Sequence, residues 1–183
     1  LILEFKHFIM TAFHHSNRGK VQGLLSGPRD TTLTVAGRNM KSLSIFCKSV
    51  KVSLGTGPDI RDITSALEQL IDDLRVENGN LCATMVGSTG SLTTIEYEPG
   101  VVSDLMAAVN RLAPPDLEYA HEKAWHDGNG HSHVQAALLG PSIVLPIRKR
   151  RLKLGTWQQV VAINHDNRSR QRTIEVTIIG TTA

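Results

Sequence analysis

The chain has 183 residues, 40% of them hydrophobic and 20% charged, with a formal net charge of +3 and a sequence pI near 9.0. This balance excludes a wholly disordered chain and one that needs disulfide staples to build a core. No run reaches the roughly 18 apolar residues that span a bilayer, and so small a positive excess excludes an argument for nucleic acid from charge alone, while leaving room for a phosphate-bearing ligand.

In chain order, residues 1–39 read as an N-terminal extension and residues 40–183 as one domain. The extension holds His7, His14 and His15 and a polar, Gly-rich stretch, HHSNRGKVQGLLSGPRD. Its start, LILEFKHFIM, lacks a basic n-region and a small-residue cleavage site, so no secretory signal is expected. Met40 opens a cleaner pattern and is a candidate natural start. Leu43–Leu54 is β-branched and loosely alternating, and reads as a strand. The Gly/Pro turn at 55–59 leads to a helix over Asp62–Val76, with apolar residues at Ile63, Leu67, Leu70, Ile71 and Leu74 on one face and Asp62 or Thr64 as its cap. ENGN (77–80) reads as its end, Leu81–Val86 as a buried strand, Gly87–Gly90 as a loop and Leu92–Tyr97 as a strand. A helix follows over Val101–Leu112, stopped by Pro114–Pro115. After a His-rich connection over 116–132, a short helix over Val134–Leu139 ends at Gly140. Ser142–Ile147, Leu152–Leu154, Trp157–His165 and Arg172–Ile179 read as strands. The pattern predicts an α+β fold, a mixed or antiparallel sheet with two main helices packed on it. Cys47 and Cys82 sit in apolar runs without metal or disulfide spacing, so both read as core residues of a cytoplasmic protein.

Three segments carry candidate chemistry. Residues 121–133 hold His121, His126, His131 and His133, half of the eight histidines, beside Glu122 and Asp127. Neutral imidazole is a common metal ligand and a carboxylate can complete a shell or orient a ring. The spacing matches no standard zinc signature, and a polar surface loop is the other reading. In Gly87-Ser88-Thr89-Gly90, small residues let a ligand approach the backbone, and the hydroxyls of Ser88 and Thr89 could hold a phosphate; a plain hairpin turn is the alternative. Around Gly155, Trp157 is either core or a pocket wall. The basic run Arg148–Arg151 with Lys153 reads as a solvated hairpin or an anion site. Aromatic residues for base stacking are nearly absent, so nucleic acid is not an expected partner.

The run LGTWQ (154–158) preceded by LLGPSIVLPI (138–147), together with TTIEYEPG (93–100), DITSALEQLI (62–71), Tyr119-x-His121, Asp127 and His133, resembles the YjbQ-like family, also called the secondary thiamine-phosphate synthase family. The resemblance covers about residues 43–180. It implies an α+β fold, commonly a homotrimer with a pocket near subunit boundaries. It also implies a transferase that joins hydroxymethylpyrimidine diphosphate to thiazole phosphate. On matching positions it points to His121, Asp127, His133 and Glu96. The expected site has His121, His126 and His133 holding a divalent ion such as zinc. Glu96 or Asp127 would orient a ligand or proton, Ser88 and Thr89 bind phosphate, and Trp157 and Gln158 line the pocket. Alternatives are a non-catalytic binder or sensor of a phosphorylated metabolite and a metal-dependent hydrolase. Two departures stand out. Gly87-Ser88-Thr89 replaces the family's frequent His-Thr-Ser, with His126 as the candidate substitute imidazole, and Arg150 replaces a turn glycine.

Overall fold

The computed structural model describes residues 32–33 and 42–182; apart from Thr32–Leu33, the N-terminal extension and the candidate start at Met40 lie outside the described residues. The elements are β1 (Thr32–Leu33), β2 (Leu43–Leu54), β3 (Asp59–Asp62), α1 (Thr64–Asp73), β4 (Val76–Met85), β5 (Gly90–Ile95), α2 (Pro99–Leu112), α3 (Glu122–Trp125), α4 (Gly130–Leu139), β6 (Ser142–Arg148), β7 (Arg151–Leu152), β8 (Gln159–Asn164) and β9 (Arg170–Thr182). They form a six-stranded sheet, β1-β2-β9-β4-β6-β7, and a three-stranded sheet, β3-β8-β5. Every strand pair is antiparallel. The expected α+β architecture is present, with its strands divided between two sheets.

The two sheets enclose the main core. Leu81, Ile147, Ile174 and Ile178 from the large sheet meet Leu92, Val160 and Ala162 from the small one, and α1 adds Leu67 and Ile71. The far face of the small sheet carries Ile60, Val161 and Ile163, which pack against Val102, Leu105 and Met106 of α2 and Leu139 of α4. The central strand β8 is therefore covered on both faces, which is why VVAI is a continuous apolar run rather than an alternating one. Alternation governs β2 instead. Its period of two turns Cys47 outward, opposite Thr177, and the same register places Cys82 on that outer face. Cys47 is exposed and Cys82 half-buried, so neither is the core residue its apolar neighbours suggest.

Helix and turn chemistry sets several boundaries. At α2, the Glu98 side chain accepts from the backbone N–H groups of Gly100 and Val101, and Pro99 opens the first turn. At α1, Asp62 belongs to β3, and its Oδ1 accepts from Thr64 N at 2.8 Å and Thr64 Oγ1 at 2.6 Å. ENGN is not a turn. Arg75 reverses the chain after α1 at φ +53, and Glu77–Asn80 lie inside β4. Gly79 is there because it faces Gly180 across the ladder, where the strands run unusually close. A Cβ on Gly180 would lie 2.5 Å from Asn78 O, and one on Gly79 would overlap Ile179 O. The hairpin between β6 and β7 keeps left-handed backbone at Lys149 (φ +51) and Arg150 (φ +62) despite the absence of glycine.

Candidate functional site

At the end of β8 the chain runs Asn164-His165-Asp166, and all three side chains are buried. Around them gather Thr89 and Ser91 from the β5 side, Ser132 and Gln135 from α4, and Arg172 from β9, every one also buried. The Gln135 amide donates to Asn110 Oδ1 at 3.1 Å and to Ala113 O at 2.9 Å, which turns its carbonyl oxygen toward His165 Nδ1 at 3.2 Å. His165 therefore carries its proton on Nδ1, and its Nε2 accepts from Ser91 Oγ at 2.8 Å. Burial, with Arg172 and His131 nearby, lowers the His165 pKa to about 4, so the ring is neutral at pH 7. Burial likewise lowers His131, which lies 3.2 Å from Ser132 Oγ. Burial alone would raise Asp166, but hydrogen bonds from Arg170 and Thr89 bring its pKa below the usual value.

Thr89 and Ser88 part company within this frame. Thr89 Oγ1 donates to Asp166 at 3.0 Å and accepts from Arg172 Nη2 at 2.7 Å, so its hydroxyl is committed inside the protein. Ser88 is exposed and lines a cleft of about 370 Å³ together with Gly87, Gly90, His133, Ala136, Ala137 and Pro141. Of the two residues expected to bind phosphate, only Ser88 faces this space.

The histidine segment is partly gathered. The rings of His121 and His133 lie 4.5 Å apart, and His121 Nε2 is 3.6 Å from Asp127 Oδ1. Glu122 accepts from Gly128 N at 2.7 Å and Gly130 N at 3.0 Å, which lowers its pKa and anchors the start of α4. That anchor lets the helix begin at Gly130, four residues before Val134, where the small polar residues hide it from periodicity. His126 stands apart, exposed at φ +51 after α3, with no ring contact to His121 or His133 among the described residues. No group of three or more His, Cys, Asp or Glu side chains that could hold a metal ion forms among the described residues. A divalent ion thus does not fit the donors that the described residues of one chain bring together.

The remaining candidates lie elsewhere. Gly90 pairs with Asn164 and Ile95 with Gln159, so the two ends of the small sheet are five residue steps apart, about 17 Å at ordinary strand rise. Glu96, Trp157 and Gln158 sit at the second end, away from Ser88 and His133. Glu96 is exposed, Trp157 is 69% exposed, and Gln158 donates to Thr94 Oγ1 at 2.8 Å. Trp157 is therefore neither core nor a wall of the 370 Å³ cleft. Sequence reasoning missed His165, Asp166 and Arg172. Their signal was the polar run NHDNRSRQR breaking two apolar strands, which reads as a solvated turn when only charge is counted.

A family model described as UPF0047 protein YjbQ-like matches residues 48–181. A UPF0047 protein of Archaeoglobus fulgidus is 30% identical over 116 residues, covering 63% of this chain and 88% of the relative. The UPF0047 protein YjbQ of Escherichia coli O157:H7 is 34% identical over 115 residues, covering 62% and 83%. Among solved structures, a protein of unknown function from Sulfolobus solfataricus P2 superposes with a TM-score of 0.71 at 28% identity, covering 75% of this chain and 99% of that one. An uncharacterized conserved protein from Clostridium acetobutylicum gives 0.62 at 30% identity, covering 70% and 98%.

Proposed function

The chain belongs to the UPF0047 YjbQ-like family, and from that premise we propose that it acts on a phosphorylated small molecule, as a secondary thiamine-phosphate synthase. The observation that carries this reading is the cleft between the 87–90 loop and α4, where the Ser88 hydroxyl and the His133 imidazole border a floor of Ala136, Ala137 and Pro141. Two polar side chains among small apolar residues suit a phosphate joined to a heterocycle. In the reaction, the thiazole nitrogen forms a bond to the pyrimidine methylene carbon while the carbon–oxygen bond to diphosphate breaks. The diphosphate leaves with the electron pair. Ser88 and His133 would orient the leaving group by hydrogen bonds, which is catalysis by positioning. No step is assigned to a metal.

A second reading, a binder or sensor of a phosphorylated metabolite without turnover, is favoured by one observation: Glu96, the candidate proton carrier, lies at the opposite end of the small sheet. A metal-dependent hydrolase has less support, because it needs ligands that the described residues of one chain do not gather. The proposal includes a homotrimer. Its support is that the expected site is split between two ends of one sheet and that Trp157, at the second end, is 69% exposed, so a neighbouring copy could join the halves. It also includes a cytoplasmic location, in keeping with two free cysteines. No helix among the described residues is long and apolar enough to cross a membrane.

The test is a steady-state assay with both thiamine precursors, with and without added divalent metal. Thiamine phosphate and diphosphate released one to one would support the transferase. Absence of product above background in both conditions would leave the binder.

A further inference from the structure

We propose that the cleft beside Gly87 is an anion pocket whose charge comes from Arg172 behind the loop rather than from the surrounding histidines, and that it receives the phosphate or diphosphate of a small molecule. This deepens the reading above and rests on it only for the location of the ligand.

Arg172 is 7% exposed. Among the described residues, its side chain's hydrogen bonds leave from two of its three nitrogens. Nε donates to Asn164 Oδ1 at 3.1 Å, and Nη2 donates to Thr89 O at 3.1 Å, to Thr89 Oγ1 at 2.7 Å and to Asn164 Oδ1. Nη1 makes no hydrogen bond among the described residues. It lies 3.2 Å from the point that a Cβ on residue 87 would occupy, and Gly87 lines the cleft. Arg172 is not itself a lining residue of the cleft; it stands behind Gly87, whose missing side chain lets Nη1 come this near. Gly87 also holds φ +122, a conformation that residues with a Cβ avoid.

The local charges do not cancel. Asp166 is the carboxylate partner of Arg172, at 3.7 Å from Nη2, and it also pairs with Arg170 at 2.8 Å. Two guanidinium groups thus share one carboxylate. His165, beside them, is neutral. Arg172 and Asp166 are buried while Arg170 is 43% exposed, so Asp166 is divided between a buried and a partly solvated guanidinium, and an anion in the adjacent cleft gains from the share of the Arg172 charge that Asp166 leaves uncompensated. Asn164 and Thr89 pin the rest of the guanidinium, so little reorganisation accompanies binding. Ser88 and His133 supply hydrogen-bonding groups on the rim, and Ala136, Ala137 and Pro141 receive the uncharged part of the ligand.

The test uses the full chain and isothermal titration with inorganic phosphate and inorganic diphosphate at constant ionic strength. Arg172→Gln removes buried hydrogen bonds and puts folding at risk, so the decisive variants are at Ala137, an exposed helical residue on the cleft wall. Ala137→Glu adds a carboxylate and should weaken binding at least tenfold. Ala137→Gln adds the same bulk without charge, so whatever it loses by crowding the cleft, it should still bind at least tenfold more tightly than Ala137→Glu. Absence of saturable binding of either anion to the unmodified protein, or any other ordering of the three proteins, overturns the proposal. No thiamine precursor takes part. Anion binding in this order without turnover would retain the pocket and remove the transferase, whereas turnover with a different order would do the reverse.

Discussion

Ser91 Oγ lies 2.8 Å from Nε2 of His165, and neither residue exposes any surface. With the Gln135 carbonyl on Nδ1, this pair makes a relay-like arrangement of hydroxyl, imidazole and amide. It lies beneath the cleft rather than in it, so its work is to tie β5, β8 and α4 into one frame.

Acid should loosen that frame. The folded pKa of His165 is about 4, against an unperturbed value of 6.5. Between these values the unfolded chain binds the proton and the folded chain does not. Stability therefore falls as pH drops from about 6.5 toward 4, by about 3 kcal/mol at most for this residue. His131, lowered in the same direction, adds to the loss. Urea unfolding at pH 7, 5.5 and 4 measures the slope, and His165→Gln should flatten it. An equal slope in both proteins would remove His165 as its source.

Thr89→Val should destabilise the protein by about 1–3 kcal/mol, because it leaves Asp166 without one donor and Arg172 without one acceptor in a buried setting. Ser88→Ala, on the exposed neighbour, should change unfolding by less than about 0.5 kcal/mol. Paired chemical denaturation curves check both. Equal effects would contradict the division of roles between these adjacent hydroxyls.

The β6–β7 hairpin holds two non-glycine residues in left-handed backbone. Lys149→Gly should raise stability by up to about 1 kcal/mol through relief of that conformation. Arg150→Gly relieves similar strain but loses the 3.3 Å pair with Asp72, so its net effect should be near zero. Thermal unfolding of the two variants side by side tests the contrast.

Trp157→Ala should leave the unfolding of the single chain nearly unchanged, because 69% of the side chain is exposed. Under the trimer proposal, light scattering of the variant should show a shift toward smaller species. A variant that unfolds readily as a monomer would instead mean that Trp157 stabilises its own chain.

Much of the fold was legible because it rests on periodicity. Leu43–Leu54 is a strand with the bounds its alternation indicates, and the apolar spacing at Leu67, Leu70 and Ile71 marks α1. Failures occurred where one residue carried the boundary. Arg75 turns the chain without glycine, so the sequence pattern carries the helix on to Val76 and ends it at ENGN. The four-residue strand β3 is too short to show alternation: its ends, Asp59 and Asp62, fall in the predicted turn and helix, and Ile60 and Arg61 are assigned to neither. At the site, the expected metal ligands His121 and His133 have rings 4.5 Å apart, with Asp127 3.6 Å from His121, and Ser88, expected to bind phosphate, lines the cleft with His133. Composition could not show that Glu96 and Trp157 face away, since that depends on which end of β5 each approaches. The buried Arg172 was hidden for the opposite reason: arginine in a basic run reads as solvated until its partners are known.

The facing glycines of β4 and β9 bear on how this chain can vary over generations. At most tight contacts, a bulkier residue on one side can be accommodated by a smaller one opposite. At Gly79 and Gly180 the obstacle on each side is the neighbouring strand's own backbone, Ile179 O in one case and Asn78 O in the other. Peptide oxygens are the same whatever residue bears them, so no second mutation can make room. The two positions should therefore each stay glycine on their own account rather than drift as a correlated pair, and a search for covarying residues would pass over one of the tightest constraints in the molecule.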